Sequence, residues 1–265
     1  MSFYQHKIVW ITGASSGIGE HLAYEFAKQG AHLILSARNL KELQRVKSKC
    51  EAAASSVAIE LIDFDKIEQI PTIANKVIAI HGKIDVLVNN AGISQRSLAK
   101  DTAFEVDEMI MKINYLATIR LTKCVLPVFL KQESGQIITI TSTVGKIGTA
   151  MRSAYAASKH ALHGFFDSLR TEVPDGIDIM LVCPGFIRTN ISINALTGDG
   201  SAQGTMDAAT DKGMDPAVLA AKIVESASLG KAEIYVGGFK EKLAIYLSRY
   251  TPGILRKILK NAKVT

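Results

Sequence analysis

Ile8-Val-Trp-Ile11-Thr12-Gly13-Ala-Ser15-Ser16-Gly17-Ile18-Gly19, followed by Leu22, Ala23, Phe26 and Ala27 at helical spacing, is the stretch that decides the fold. A short apolar run with β-branched bias reads as a buried strand, and the pattern after Gly19 reads as a helix. Between them lies a glycine-rich turn, the order a phosphate-binding turn requires, because a helix N-terminus then points its free N–H groups at an anion. Gly13 allows the tight turn, Gly17 lets the backbone approach a pyrophosphate, and Gly19 permits close packing of helix on strand. The spacing is G-x-x-x-G-x-G, and Ile18-Gly19-Glu20 stands where a nucleoside triphosphatase loop would carry its Lys. A glycine turn alone is only a turn; strand and helix on either side favour dinucleotide binding.

Strand and helix patterns alternate outward from this unit. His32 to Arg38 is the next strand, Leu40 to Ala54 a helix, Ser56 to Ile62 a third strand, Ile67 to His81 a helix, and Ile84 to Asn89 a fourth strand. A helical stretch from Phe104 to Lys131 precedes the strand Gly135 to Ser142. The helix Tyr155 to Val173 and the strand Ile177 to Val182 follow, the latter ending in Cys183-Pro184-Gly185. This alternation predicts a parallel sheet with helices on both faces, with ligands gathered at the carboxyl ends of the strands. The glycine turn, Arg38, Asp63 and Asn90 all fall at such ends. At the end of the second strand an acid would bind a ribose 2′-hydroxyl and a basic residue would accommodate a 2′-phosphate. Ser36-Ala37-Arg38-Asn39 holds no acid, so NADP(H) is expected over NAD(H); the plainer alternative is that Arg38 merely ends a strand in solvent. Asp63-Phe64 suits an adenine amino group or helix capping.

Tyr155 and Lys159 stand four apart, which puts phenol and ammonium on one helix face. A cation near a tyrosine favours phenolate and moves a free pKa of about 10 towards neutrality, where a general acid or base is useful. Ser142, at the end of a strand, could orient an oxygen presented to Tyr155. Tyr-x-x-x-Lys is also a common solvated helix pair. Asn114 sits mid-helix, where Asn is an indifferent helix former; an exposed surface amide is the ordinary explanation.

Thr12 to Gly19, Asn89-Asn90-Ala91-Gly92, Asn114, Ser142, Tyr155-x-x-x-Lys159 and Pro184-Gly185 occur in this order, and with them the chain resembles the short-chain dehydrogenases/reductases from about Lys7 to Asn190, with a weaker strand at Glu233 to Gly237. Asn90 to Ser97, Thr122 to Pro127 and Ser158 to Phe166 resemble the branch containing dehydrogenase/reductase member 7 and, more distantly, the 11β-hydroxysteroid dehydrogenases. The resemblance implies a single doubly wound α/β domain of Rossmann type with about seven parallel strands. It implies Tyr155 as general acid/base, Lys159 binding the nicotinamide ribose and holding the Tyr155 pKa down, Ser142 bonding the substrate oxygen, and Asn114 keeping a water in a proton relay. Gly13, Ser15, Ser16, Gly17, Ile18 and Gly19 would enclose the pyrophosphate and adenosine ribose, with Asp63 and Phe64 at adenine. Asn90, Ala91 and Gly92 would pass beside the cofactor, and Pro184, Gly185, Ile187 and Thr189 would hold its carboxamide end. A homodimer or homotetramer through the Phe104 to Lys131 and Tyr155 to Val173 helices is the family's common assembly.

The remaining features bound the function. The 265 residues, 48% of them hydrophobic, fit one large domain; the catalytic domain is expected over 1–239, with a basic extension over 240–265. No apolar run approaches the ~20 residues of a membrane span, no secretory leader is apparent, and a cytoplasmic location is expected. Cys50, Cys124 and Cys183 are too scattered for a disulfide framework or zinc cluster, none of the six histidines has metal-ligand spacing, and His160 reads as structural. From Lys240 on, Lys240, Lys242, Arg249, Arg256, Lys257, Lys260 and Lys263 face Glu241 alone, which equals the whole chain's net charge of +6. The basic balance therefore reports a tail and not a nucleic-acid-binding domain.

Asn190 to Asp215, with little periodicity, reads as a mobile substrate lid. Its Ile191, Ile193, Leu196, Met206 and Met214 point to a small lipophilic carbonyl or secondary alcohol as substrate. Lys242 to Tyr250 and Ile254 to Ala262 are two helical patterns. In the second, Ile254, Leu255, Ile258, Leu259 and Ala262 share one face, which suits peripheral contact with anionic lipid headgroups and equally a helix covering the substrate mouth or a neighbouring subunit. The rivals to an enzyme are a dinucleotide sensor that kept the fold without turnover and a peripheral membrane protein whose basic C-terminal helix is its main feature.

Overall fold

The computed structural model describes residues 2–260. Its strands are β1 (Ile8–Thr12), β2 (His32–Ser36), β3 (Ser56–Ile59), β4 (Val86–Asn89), β5 (Gly135–Ile140), β6 (Ile177–Pro184) and β7 (Glu233–Val236). They form a seven-stranded sheet in the order β3-β2-β1-β4-β5-β6-β7, and every neighbouring pair is parallel. Because strand side chains alternate between faces, β1 sends Val9 and Ile11 to one core and Ile8 and Trp10 to the other. The first core is closed by α1 (Gly17–Lys28), α2 (Leu40–Cys50) and, later in the chain, α8 (Pro216–Ser228); the second by α3 (Ile70–His81), α5 (Ala117–Gln132) and α6 (Ser153–Glu172). Trp10, fully buried, donates its indole N–H to Ser36 Oγ at 2.9 Å, so burying its polar edge carries no unmet hydrogen bond.

Local chemistry sets the helix ends. Asn39 caps α2 by accepting the Glu42 N–H at 3.2 Å, and Asp215 caps α8 by accepting that of Ala217 at 2.8 Å, with Pro216 opening the helix. α3 has Pro71 in its first turn and stops at Gly82, whose φ is 71°.

The long helical stretch is not uniform. α4 (Phe104–Met111) passes through a π-type turn, Lys112–Leu116, into α5. One extra residue per turn rotates the side chains that follow, and such turns often occur at functional sites. By length and composition alone the run Phe104–Gln132 is apolar enough to cross a membrane. Its α5 residues Leu121, Val125 and Phe129, however, are buried in the core of the sheet, where a helix of this hydropathy is at home.

The sheet order reverses between β1 and β4. In an open parallel sheet the crevice at the carboxyl ends beside such a reversal binds the ligand. Over the β6 end of this crevice, the segment from 190 to 215 holds a short helix, α7 (Ala208–Asp211). This segment is more ordered than its lack of pattern predicts. Leu196 N–H donates to Ser94 O at 2.9 Å, Arg96 N–H to Leu196 O at 2.8 Å, and Ala103 N–H to Gly198 O at 2.8 Å. After β7, α9 (Phe239–Tyr250) and α10 (Pro252–Lys260) pack against each other. Ala262 and Lys263 of the sequence pattern lie outside the described residues.

Candidate active site

The glycine turn takes its shape from Gly13, whose φ of 64° lies in the left-handed region, and from Gly19, where a Cβ would stand 2.3 Å from Gly13 O and 2.5 Å from Asn90 Nδ2. Neither position admits a side chain without moving backbone. Asn90 closes the turn from β4 by donating to Thr12 O at 3.0 Å and Gly13 O at 3.1 Å. Thr12 Oγ1 accepts from the N–H groups of Asn90 (3.0 Å) and Ala91 (3.2 Å) and donates to Val88 O. From the other side Arg45 donates to Ser15 O at 3.3 Å and pairs with Glu20 at 2.7 Å. Arg45 carries no local signal in the sequence, because its partner Glu20 lies 25 residues away.

The turn opens into a cleft of about 800 Å³. Gly13, Ser15, Ser16, Gly17 and Ile18 line one end, and Arg38, Asp63 and Phe64 stand beside them. Asn90, Ala91 and Gly92 line its middle, with Ser142, Tyr155, Lys159, Pro184 and Gly185 beyond them; Ile187 and Thr189 also line it, Thr189 lying close against Gly17. Gly19 and Asn114 belong to the cleft's support and not to its wall. A glycine cradle at a helix N-terminus, leading past a polar turn to a tyrosine and a lysine, fits a dinucleotide in extended form.

Asn114 is buried, not a surface amide. The π-type turn carries it inward, where its Oδ1 accepts the Ile93 N–H at 2.8 Å and its Nδ2 donates to Ile93 O at 2.9 Å and Ser158 Oγ at 3.0 Å. It thus ties α6 to the loop after β4. Lys159, buried on α6, donates to Ile140 O at 2.9 Å. Burial lowers its pKa to about 8, because an ammonium withdrawn from water loses hydration.

Tyr155 departs from the expectation that Lys159 lowers its pKa. Burial raises the Tyr155 pKa above the ordinary phenol value; the Arg152 guanidinium, a hydrogen bond with Ser142 and the Arg96 guanidinium pull the other way without overcoming it. Lys159 Nζ lies over the ring face, 5.8 Å from its centroid, and is engaged by the Ile140 carbonyl. The phenol is therefore protonated at neutral pH. Ser142 also accepts the Val144 N–H at 3.3 Å and donates to Pro184 O at 3.4 Å, which joins the ends of β5 and β6.

Two features escaped the sequence. Arg96 and Asp207, both buried, pair at 2.6 Å, and Arg152 lies 3.7 Å from the same carboxylate. Arg96 also donates to Ser94 Oγ and Gln95 O, so this ion pair fastens the segment over the cleft to the loop after β4. Behind Ser142, Lys146 pairs with Glu233 at 2.8 Å, and Glu233 meets His163 Nδ1 at 3.3 Å and Cys183 Sγ at 3.5 Å. Burial first, then Lys146, pushes His163 down to about 4, so its imidazole is neutral. His163, Cys183 and Glu233 could be mistaken for a metal trio. Cys183 faces Nε2 at 3.7 Å while Glu233 faces Nδ1, and Lys146 already holds the carboxylate, so the set tethers β6, β7 and α6 to the turn that follows Ser142. His160, as expected, is structural, its Nδ1 bonding Ala156 O.

Known proteins agree with this architecture. The chain is 42% identical over 253 residues to the dehydrogenase/reductase SDR family protein 7-like of Drosophila melanogaster, covering 94% of this chain and 78% of that protein. A short-chain dehydrogenase from Shigella flexneri complexed with NADP superposes with a TM-score of 0.76 at 27% identity, covering 89% of this chain and 99% of that one. One from Burkholderia phymatum in complex with NAD superposes at 0.84 with 20% identity over 96% of both, a likeness of fold. The sequence model of the short chain dehydrogenases matches residues 7–199, and the chain belongs to that oxidoreductase family, in the branch of its member 7.

Proposed function

We propose that this protein is an NADP(H)-dependent oxidoreductase that interconverts a carbonyl and a secondary alcohol on a lipophilic substrate, with Tyr155 as the general acid/base. The observation that carries the reading is the single cleft running from the glycine turn and Arg38 to a buried phenol bonded to Ser142. A bound nicotinamide supplies or accepts the hydride. The chain's own groups do the rest. Ser142 orients the substrate oxygen, and Tyr155 delivers its proton as negative charge develops there. Lys159, with a pKa brought to about 8, is suited to hold the nicotinamide ribose and to return a proton to the phenol, while Asn114 fixes the backbone beside it. Ile93, Phe186 and Leu196 in the cleft lining support an apolar substrate body. A homodimer or homotetramer goes with this reading, supported by Phe104, Met109 and Leu116 lying exposed along the α4–α5 stretch.

Purified protein with NADPH and a panel of lipophilic ketones and aldehydes tests the function: NADPH oxidation dependent on the carbonyl is expected. Tight NADPH binding without turnover of any panel member would favour the sensor. The NADP preference rests on Arg38, exposed at the cleft rim with no acid between Ser36 and Asn39. Arg38→Ala is expected to weaken NADPH binding by roughly tenfold or more, the worth of one charge-assisted contact, and to leave NADH binding nearly unchanged. Equal losses for both would show that Arg38 does not meet a 2′-phosphate.

A further inference from the structure

We propose that the packed pair α9–α10 is a docking face for an anionic lipid bilayer and that it brings the mouth of the cleft to the membrane surface. On α9, Phe239, Leu243, Tyr246 and Tyr250 recur at helical spacing and are 79%, 41%, 60% and 66% exposed; on α10, Ile254 and Ile258 are 55% and 52% exposed. Leu255 is the one described α10 residue that is buried. The protein body therefore covers Leu255 and part of Leu259 of the apolar face read from the sequence and leaves Ile254 and Ile258 in water. An exposed run of aromatic and branched side chains this long marks an interaction surface.

The charges around it choose the partner. Lys240, Lys242, Arg249, Arg256, Lys257 and Lys260 are carried by these two helices, and residues 1–239 are neutral overall. The one acid, Glu241, has its carboxylate turned to the backbone of Gly185 and Gly238. Tyr and Phe with Lys and Arg around them suit the headgroup level of a bilayer, where rings enter the boundary and cations meet phosphate. A second copy of the same face would bring six cations against six cations, which opposes a two-fold contact.

Position links the face to the site. α9 packs on the turn Thr143–Gly145, directly after Ser142, and Glu241 Oε1 would lie 3.3 Å from a Cβ at Gly185 in the cleft wall. A bilayer against α9–α10 thus lies beside the entrance, and a lipid-soluble substrate could pass to the cleft without crossing water. Docking itself does not depend on the catalytic reading.

Vesicle co-sedimentation of the full chain tests this, with phosphatidylcholine alone and with phosphatidylcholine containing phosphatidylglycerol. Wild type is expected to partition to the anionic vesicles and to be released by salt. Lys257→Glu/Lys260→Glu should lower that partitioning by at least about tenfold, as each basic residue near such a surface contributes roughly a fivefold factor, and Tyr246→Ser/Ile258→Ser should lower it as well. Unchanged turnover of a water-soluble carbonyl, or an unchanged melting temperature if no turnover is found, certifies the fold of each variant. Binding that is absent, or equal on neutral and anionic vesicles, overturns the proposal. So does a change of oligomeric state by sedimentation velocity in the Tyr246/Ile258 variant without vesicle binding by wild type, which would make the face a subunit interface.

Discussion

Tyr155→Phe is expected to lower carbonyl turnover by roughly 10²–10⁴-fold, the range a positioned general acid supplies, and to leave dinucleotide affinity within about threefold. Phe retains the ring that Lys159 overlies and removes only the hydroxyl. Ser142 then loses one hydrogen-bond partner but keeps Val144 N–H and Pro184 O, so the site's frame survives. The loss should fall on kcat, because the proton is needed in the transition state and not in the ground state. The pH profile adds a check that a merely structural role would not pass. Burial holds the Tyr155 pKa above 10.0, so the phenol is protonated throughout the neutral range. Reduction, which consumes that proton, should stay flat through neutrality and fall only as pH passes the raised pKa. Oxidation, which needs phenolate, should keep rising over the same range. A bound cofactor that turns Lys159 towards the phenol would move both curves to lower pH together. Retention of wild-type kcat by Tyr155→Phe would remove the phenol from the chemistry.

The sequence made the sheet legible because its central strands are continuous apolar runs. Val86–Asn89 is buried along its whole length and Ile177–Pro184 everywhere except at Asp178, so both read as near-continuous apolar runs and the intervening helices supply the order. Boundaries were less legible at the edge. Ser56 to Ile62 reads as one strand, but β3 ends at Ile59, with only Glu60 and Ile62 still donating singly to Leu35 O and Ala37 O. The helix around Asn114 failed for a different reason. An inserted π-type turn leaves composition unchanged, so a period of 3.6 carries the eye past it, and the residue it turns inward looks like one facing solvent. Most cleft-lining residues could be named because each belongs to a local pattern: a glycine turn, a strand end, a pair four apart. What holds those pieces in place could not. Arg45 with Glu20, Lys146 with Glu233 and Arg96 with Asp207 are long-range pairs, and a charge by itself does not announce its partner. The expectation that Lys159 depresses the Tyr155 pKa shares this cause, since helical spacing places two side chains on one face but does not show which carbonyl the ammonium has found.

Asp207→Asn is expected to destabilise the chain by about 3–5 kcal/mol, the cost of breaking a buried ion pair from one side, and to lower Tm by on the order of 10 °C. The carboxylate side chain is 3% exposed, as is that of Arg96. Burial alone would raise the Asp207 pKa, but hydrogen bonds from Arg96 and Gln203 and the charges of Arg96 and Arg152 outweigh it, so the folded-state pKa lies below 3.8. A depressed carboxylate contributes stability that is present above its unfolded value and is lost as pH falls through the folded one. The wild-type advantage over Asp207→Asn should therefore be constant at neutral pH, shrink below about pH 4 and vanish once Asp207 is protonated in both states. Activity should suffer by a separate route. Asp207 closes the 190–215 segment onto Arg96, and Asp207 N–H donates to Ser192 Oγ within that segment, so weakening the clasp should raise KM more than it lowers kcat. The double variant Arg96→Met/Asp207→Leu distinguishes a lost clasp from a stranded charge. Replacing both partners with apolar groups of similar volume is commonly near neutral, so the double variant should melt above Asp207→Asn while its KM remains high. A melting temperature for Asp207→Asn within a degree or so of wild type at neutral pH would show that the pair does not hold the segment down.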